Sequence, residues 1–222
     1  MFGEIKMRKS KLYIRSLFKL ITVVTLIVLV LVGVSYYAWK NELRQEMSYH
    51  FNVHHVEKHR SLVEKHAKDA GLEAEIETLL AIMMQESGGR GEDPMQASES
   101  LCGEVGCIKE PEESIEQGVA YYKQTLEAAK GDRKLAVQSY NFGVGFIDYA
   151  LTHEGKYTPE IAIKFSQEMY NRAEDQSIYT CKRKEAKEYD ACYGDILYVR
   201  NVLGYRDIFI ANAKRELAST QK

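Results

Sequence analysis

The hydrophobic pattern changes character twice along the chain. Leu20 to Trp39 contains no charged residue, and its core reads ITVVTLIVLVLVGV. As a helix this run covers about 30 Å, the thickness of a bilayer's apolar core. Residues 41–70 are polar and rich in Glu, Lys and His, with no Pro or Gly before Gly71, which predicts a helical stalk. From Leu72 onward the apolar positions recur at helical spacing: Leu72, Ile76, Leu79, Leu80 and Met83 share one face. Gly88 and Gly89 should stop that helix. Further helices are predicted over residues 112–130, over Arg133 to Tyr140, over Gly145 to Thr152, from Pro159 (burying Ile161, Phe165 and Met169) and over Asp195 to Leu217. Alternating strand patterns are nearly absent, so the expected fold class is mainly α.

Charge sharpens the first part of this picture. The 222 residues carry 30 Lys+Arg against 32 Asp+Glu, a near balance that gives no reason to expect nucleic acid as a partner. The balance is an average of unlike parts. Residues 1–19 hold six basic residues and one acid, a net of +5, which leaves −7 for the rest. A basic flank before an apolar run keeps the N-terminus in the cytoplasm and exports the remainder of the chain. Tyr36, Tyr37 and Trp39 stand at the far end, where amphipathic rings favour the headgroup layer. A cleaved signal peptide is the competing reading, but VSYYAWK offers no good small-x-small site. The expected organisation is a cytoplasmic tail (1–19), a transmembrane anchor (20–39), a stalk (40–52), one globular domain (53–216) and a short tail (217–222). The domain should lie outside the cytoplasmic membrane.

Four cysteines, Cys102, Cys107, Cys181 and Cys192, all lie beyond the apolar run, in keeping with an oxidising compartment. Three pairings are open; local ones, Cys102 with Cys107 and Cys181 with Cys192, would each pin a polar loop. A zinc site built from all four is the alternative, without the C-x2-C spacing of zinc knuckles. His50/His54 and His55/His59 have i,i+4 spacing that could serve a metal, but no acidic or Cys partner sits at a telling distance. A solvated His-rich helix is the plainer reading, and no metal or other cofactor is expected.

The chemistry is expected near residues 84–100, MQESGGRGEDPMQASES. Glu86 continues the apolar face of Leu79 and Met83, where desolvation disfavours a charged carboxyl and suits a general acid. Asp93 comes next, in a Gly-rich, better hydrated loop. Two carboxyls in contrasting settings are the arrangement glycosidases use to divide acid and base roles. Alternatively, Glu86 caps a helix end and Asp93 starts a turn before Pro94.

The runs Ala81-Ile-Met-Met-Gln-Glu-Ser-Gly-Gly89, Asp93-Pro-Met-Gln-Ala-Ser-Glu-Ser100, Ser114-Ile115…Gly118-Val119…Tyr122, Ser139-Tyr-Asn-Phe-Gly143 and Tyr198-Val-Arg-Asn-Val-Leu203 resemble the lysozyme-like muramidase family. This is the family found as the N-terminal domain of two-domain wall hydrolases on Gram-positive conjugative elements. More distantly the chain is similar to soluble lytic transglycosylases and goose-type lysozymes. The resemblance covers about residues 53–216. It implies that Glu86 is the catalytic acid and Asp93 the second carboxylate, assisting water or stabilising the transition state. Met95 and Gln96 would line the glycan cleft, and Tyr140 and Asn141 would border the scissile sugar. Gln96, Ser98 and Asn141 can hydrogen-bond sugar hydroxyls, and a tyrosine ring can stack on a pyranose; for Ser98 a loop-stabilising role is equally open.

The implied activity is cleavage of the β-1,4 bond after N-acetylmuramic acid in peptidoglycan glycan strands, at the membrane. Carboxyls about 6.5–9.5 Å apart would predict inversion and about 5 Å retention. A lytic transglycosylase, leaving anhydro ends, is the nearest alternative. A non-catalytic wall-binding component of a conjugation or secretion complex is the alternative from another class. The two-domain relatives continue into a cysteine peptidase, whereas this sequence ends at Lys222, so stem-cutting activity is expected from another protein.

Overall fold

A computed structural model describes residue 22 and residues 25–40, 51–181 and 183–220. The chain divides into two units, Met1–Phe51 and Asn52–Lys222. In the first, residues 25–40 are helical with exposed side chains. Among the described residues no helix is long and apolar enough to cross a membrane. The expected span 20–39 is described only in part, and residues 1–19 and 41–50, with His50, lie outside the described residues.

The second unit contains no strand among its described residues, in keeping with the mainly α expectation. Residues 52–57 of this unit are helical, a turn comes next, and α1 (Arg60–Ala70) ends at Gly71, whose φ of 72° closes the helix on the Lys68 carbonyl. A 3-10 turn over Glu73–Glu75 leads into α2 (Ile76–Glu86), so Leu72 lies before the helix that its spacing predicted. Residues 78–84 of α2 are buried, and Leu79, Leu80, Ile82 and Met83 have no exposed surface. Each such side chain contributes roughly 1.5–3 kcal/mol of burial, which makes α2 the axis of the fold.

Seven further helices follow among the described residues. They are α3 (Ser98–Cys102), α4 (Pro111–Ala128), α5 (Arg133–Phe142), α6 (Gly145–His153), α7 (Pro159–Arg172), α8 (Lys184–Glu188) and α9 (Tyr198–Thr220). The long α9 lies along α2, α1 packs on α2 and α4, and α5 joins α4, α6 and α9. Start signals act where the sequence has them. Asp132 accepts from the Leu135 amide at the head of α5, and Thr158 accepts from Ile161 ahead of Pro159. In α7, Ile161 and Phe165 are buried as expected, whereas Met169 is half-buried at the helix edge.

One buried charge braces α2 from below. Glu75 accepts from Nε and Nη2 of Arg133, at 2.8 and 2.6 Å, and from the Tyr122 hydroxyl at 3.1 Å. Burial alone would raise the Glu75 pKa, but Arg133 and the other donors outweigh it and hold the group below its usual value. Both local disulfides form, Cys102–Cys107 and Cys181–Cys192, with Cα separations of 6.8 and 4.7 Å.

Candidate active site

The site begins where α2 stops. Ser87 closes the helix and Gly88, at φ 65°, turns the chain away, with its amide bonded to the Met83 carbonyl at 3.1 Å. A Cβ on Gly89 would stand 2.7 Å from the Val56 backbone nitrogen, so only glycine lets helix 52–57 approach this turn. The Ser87 hydroxyl donates to the Pro94 carbonyl at 2.6 Å and accepts from the Gly89 and Arg90 amides, which fixes the loop leading to Asp93.

Glu86, the last residue of α2, is half-buried, and its Oε1 accepts a hydrogen bond from the Tyr198 hydroxyl at the head of α9. Tyr198 is itself buried. Burial first, and then the neighbouring Glu86 charge, push the Tyr198 pKa well above its ordinary value, so it stays a donor. Glu86 faces a cavity of about 610 Å³ whose lining includes Gln85, Asn141, Tyr179, Arg183 and Asp195. Arg183 pairs with Asp195 across that wall, Nη2 to Oδ2 at 2.8 Å.

Asp93 has a different setting. Its Oδ1 accepts from the Ala97 amide at 2.8 Å and the Ser114 hydroxyl at 2.6 Å; its Oδ2 accepts from the Ser98 amide at 3.0 Å and the Ser98 hydroxyl at 2.6 Å. Burial works to raise its pKa, but these four donors win and hold the carboxyl below the usual range. Asp93 thus joins the loop to the head of α3 and to α4.

Two expected contact residues stand apart from any cleft surface. Met95 is fully buried: its amide donates to the Ser114 hydroxyl, its carbonyl accepts from Tyr140, and its side chain fills the space above Gly118. Ser98 is 2% exposed, with its hydroxyl spent on Asp93 and on the Ile108 amide. Neither side chain has surface to offer a sugar, because the loop is closed by these same groups. The other three do reach a cavity. Gln96, exposed with φ 49°, Tyr140 and Asn141 line a second pocket of about 270 Å³, together with Tyr121 and Tyr193. Asn141 borders both cavities. Tyr140 is buried except for this edge, and burial, then the charges of Glu86 and Asp93, raise its pKa.

Sequence reasoning missed Tyr198, Arg183 and Asp195 as site residues. Tyr198 opens one of the family-like runs, but its link to Glu86 spans 112 positions and leaves no local signal. Among the described residues no group of three or more His, Cys, Asp or Glu side chains could hold a metal ion. His59 instead makes a 3.2 Å hydrogen bond with the Gly89 carbonyl, and His66 lies 3.5 Å from Glu112.

Comparison with known proteins identifies the family of this domain. A family model described as lysozyme-like matches residues 53–206. The bifunctional muramidase/DL-endopeptidase CwlT of Bacillus subtilis is 45% identical over 112 residues, covering 50% of this chain and 34% of CwlT. The uncharacterized membrane protein YocA of the same species is 35% identical over 148 residues, 65% of each chain. A crystal structure from Staphylococcus aureus, described as similar to a lipoprotein of the NLP/P60 family, superposes with a TM-score of 0.60 at 38% identity, covering 68% of this chain and 52% of that one. The chain therefore spans less than two thirds of the length of each of these relatives.

Proposed function

The chain belongs to the lysozyme-like family, and from that premise we propose that it is a membrane-anchored peptidoglycan hydrolase, an N-acetylmuramidase with Glu86 as general acid. The observation that carries this reading is Glu86 itself. It is a half-buried carboxyl at the end of a buried helix, held by a buried tyrosine and open to a cavity that Asn141 borders. In the proposed reaction the Glu86 proton passes to the glycosidic oxygen as the bond from the muramic anomeric carbon breaks. Water then adds to that carbon and passes a proton to the Glu86 carboxylate, which restores the acid. Asp93, kept charged by four donors, stabilises the oxocarbenium-like transition state through its field. Gln96, Tyr140 and Asn141 contact the sugars.

A second reading draws support from the same Asp93. A carboxylate whose two oxygens already accept four hydrogen bonds is poorly placed to take a proton from water. That favours a lytic transglycosylase, in which a hydroxyl of the substrate attacks in place of water. Mass spectrometry of digested glycan separates the two: reducing muramic ends support the hydrolase, and anhydro ends alone replace it with the transglycosylase. Clearing of a wall-impregnated gel by wild type and not by Glu86→Gln supports either enzyme. Equal clearing by both removes Glu86 from the catalytic role, and clearing by neither returns the chain to a wall-binding role beside a conjugation or secretion complex.

Anchoring rests on the uncharged run Leu20 to Trp39 behind a +5 tail. The muramidase in CwlT's name and the membrane protein in YocA's are consistent with the two halves of this reading. Retention of the full-length chain in the membrane fraction after carbonate washing is expected, and release into the wash overturns the anchor.

A further inference from the structure

The cavity beside Glu86 is walled unequally. Gln85, Asn141 and Tyr198 stand on helices, whereas Ile178, Tyr179, Thr180, Arg183, Ala186 and Cys192 come from the long connection between α7 and α9. That connection holds only a 3-10 turn, Gln176–Ile178, and the short α8. Ala186 is the single buried residue among its described positions 173–190, so almost no apolar surface fastens this arm to the domain. The stretch beyond Cys192 is different. The Ser166 hydroxyl donates to the Tyr193 carbonyl at 2.8 Å, the Tyr193 hydroxyl donates to the Phe142 carbonyl at 3.1 Å, and the Asp195 amide donates to Asn141 Oδ1 at 2.7 Å.

The disulfide Cys181–Cys192 joins the loosely packed arm to that fixed stretch. The arm's other ties to the domain come from exposed or half-exposed groups, among them Arg183 on Asp195, Gln167 Nε2 donating to the Tyr189 carbonyl at 2.5 Å, and the Tyr179 ring 5.4 Å from that of Tyr193. The loop closed by Cys102–Cys107 has an independent pin in Ser98, whose hydroxyl donates to Asp93 and accepts from the Ile108 amide. We propose that Cys181–Cys192 is a thiol–disulfide switch that decides whether the arm walls the cavity. The inference rests on the reading of this cavity as the place where glycan binds. The reductant is a dithiol. Its thiolate attacks the sulfur of Cys181, which is half-buried where Cys192 is buried; the S–S bond breaks, and Cys192 leaves as a thiolate that takes a proton. The second thiol of the reductant then displaces Cys181 from the mixed disulfide. The dithiol is thereby oxidised to its own disulfide, and the protein pair is reduced to two thiols. Without the cross-link the arm regains conformations that the bond denies it, and the wall is in place for only part of the time. Apparent affinity for a ligand of the cavity falls with that fraction.

The test uses the full-length chain carrying Glu86→Gln, so that sugar binds without turnover, together with Cys102→Ala and Cys107→Ala, so that only one disulfide responds. Calorimetry gives Kd for a peptidoglycan tetrasaccharide in the oxidised chain, after dithiothreitol, and after reoxidation. Hydrogen exchange is followed in the same samples. Reduction should raise Kd ~10-fold and speed amide exchange over residues 183–191 while Ile76–Glu86 stays protected, and reoxidation should restore both. Cys181→Ala with Cys192→Ala should bind as the reduced chain does and ignore dithiothreitol. A measurable Kd that reduction leaves unchanged overturns the inference. So does a loss of protection in Ile76–Glu86 along with the arm, which would make the bond a staple of the whole domain. A chain that binds no tetrasaccharide in either state, while exchange over 183–191 still rises on reduction, overturns the glycan reading and leaves the switch in place.

Discussion

Glu86 and Asp93 stand seven positions apart in the chain, and the fold treats them in opposite ways. Glu86 ends a rigid buried helix beside a cavity and takes a hydrogen bond from a buried tyrosine. Asp93 lies in a loop, and hydroxyls and amides from two other segments cover both of its oxygens. A carboxyl's role depends on its surroundings more than on its place in a motif. Donors in number keep Asp93 charged and make it a joint of the structure, whereas Glu86 keeps its face toward the cavity.

The contrast is tested most severely at Glu86. Glu86→Gln should lower glycan cleavage by ~10²–10⁴-fold while the urea midpoint hardly moves, because the amide keeps the shape of the acid. Asp93→Ala should do the reverse first and lose roughly 3 kcal/mol of stability in urea unfolding, since buried donors are left without their acceptor. If Asp93→Ala unfolds no more easily than wild type, the structural role assigned to its four bonds is wrong.

Titration sharpens the same point. Asp93 and Glu75 both have folded pKa values below their unfolded ones, so their contribution is complete above the unfolded carboxylate range. It is lost as pH falls below about 4 and protons bind the unfolded chain first. Urea midpoints should therefore drop more steeply between about pH 5 and 3 for wild type than for Asp93→Asn. At Gly118 a Cβ would stand 2.6 to 2.9 Å from Met95 side-chain atoms, so Gly118→Ala should cost about 1–3 kcal/mol and disturb the Asp93 loop from beneath. The smallest effect is expected from Tyr198→Phe. It removes one hydroxyl and should cost about 1 kcal/mol in stability, read from the urea midpoint.

Local order in the sequence carried far into the structure. Helix α2, the Gly88 stop, the Pro159 start and the two disulfide pairs arise from spacing and from residues that act on their immediate neighbours. The stalk pattern was too coarse: helix 52–57 ends in a turn before α1, although neither Pro nor Gly marks the break. The expected site residues divide by where their side chains lie. Glu86, Gln96 and Asn141 reach cavities, while Met95 and Ser98, side by side with Gln96 in the motif, point into the loop's own interior. A motif marks a segment, and packing decides which of its side chains face outward. Asp195 and Arg183 carry no periodic or spacing signal, because their meaning lies in partners such as Asn141, 54 positions from Asp195.

The link between Tyr198 and Glu86 also sets an order of events during synthesis. α2 leaves the ribosome more than 100 residues ahead of the helix that completes its site. Until α9 lies along α2, with Arg206 Nε bonded to the Thr78 hydroxyl at 3.1 Å, Glu86 has neither its tyrosine nor that wall of the cavity. Chains elongate at about 5–20 residues per second, so several seconds separate the acid from the group that positions it. A nascent chain, or one clipped before α9, carries the Glu86 carboxyl without its tyrosine partner, and the arrival of α9 completes that wall of the cavity.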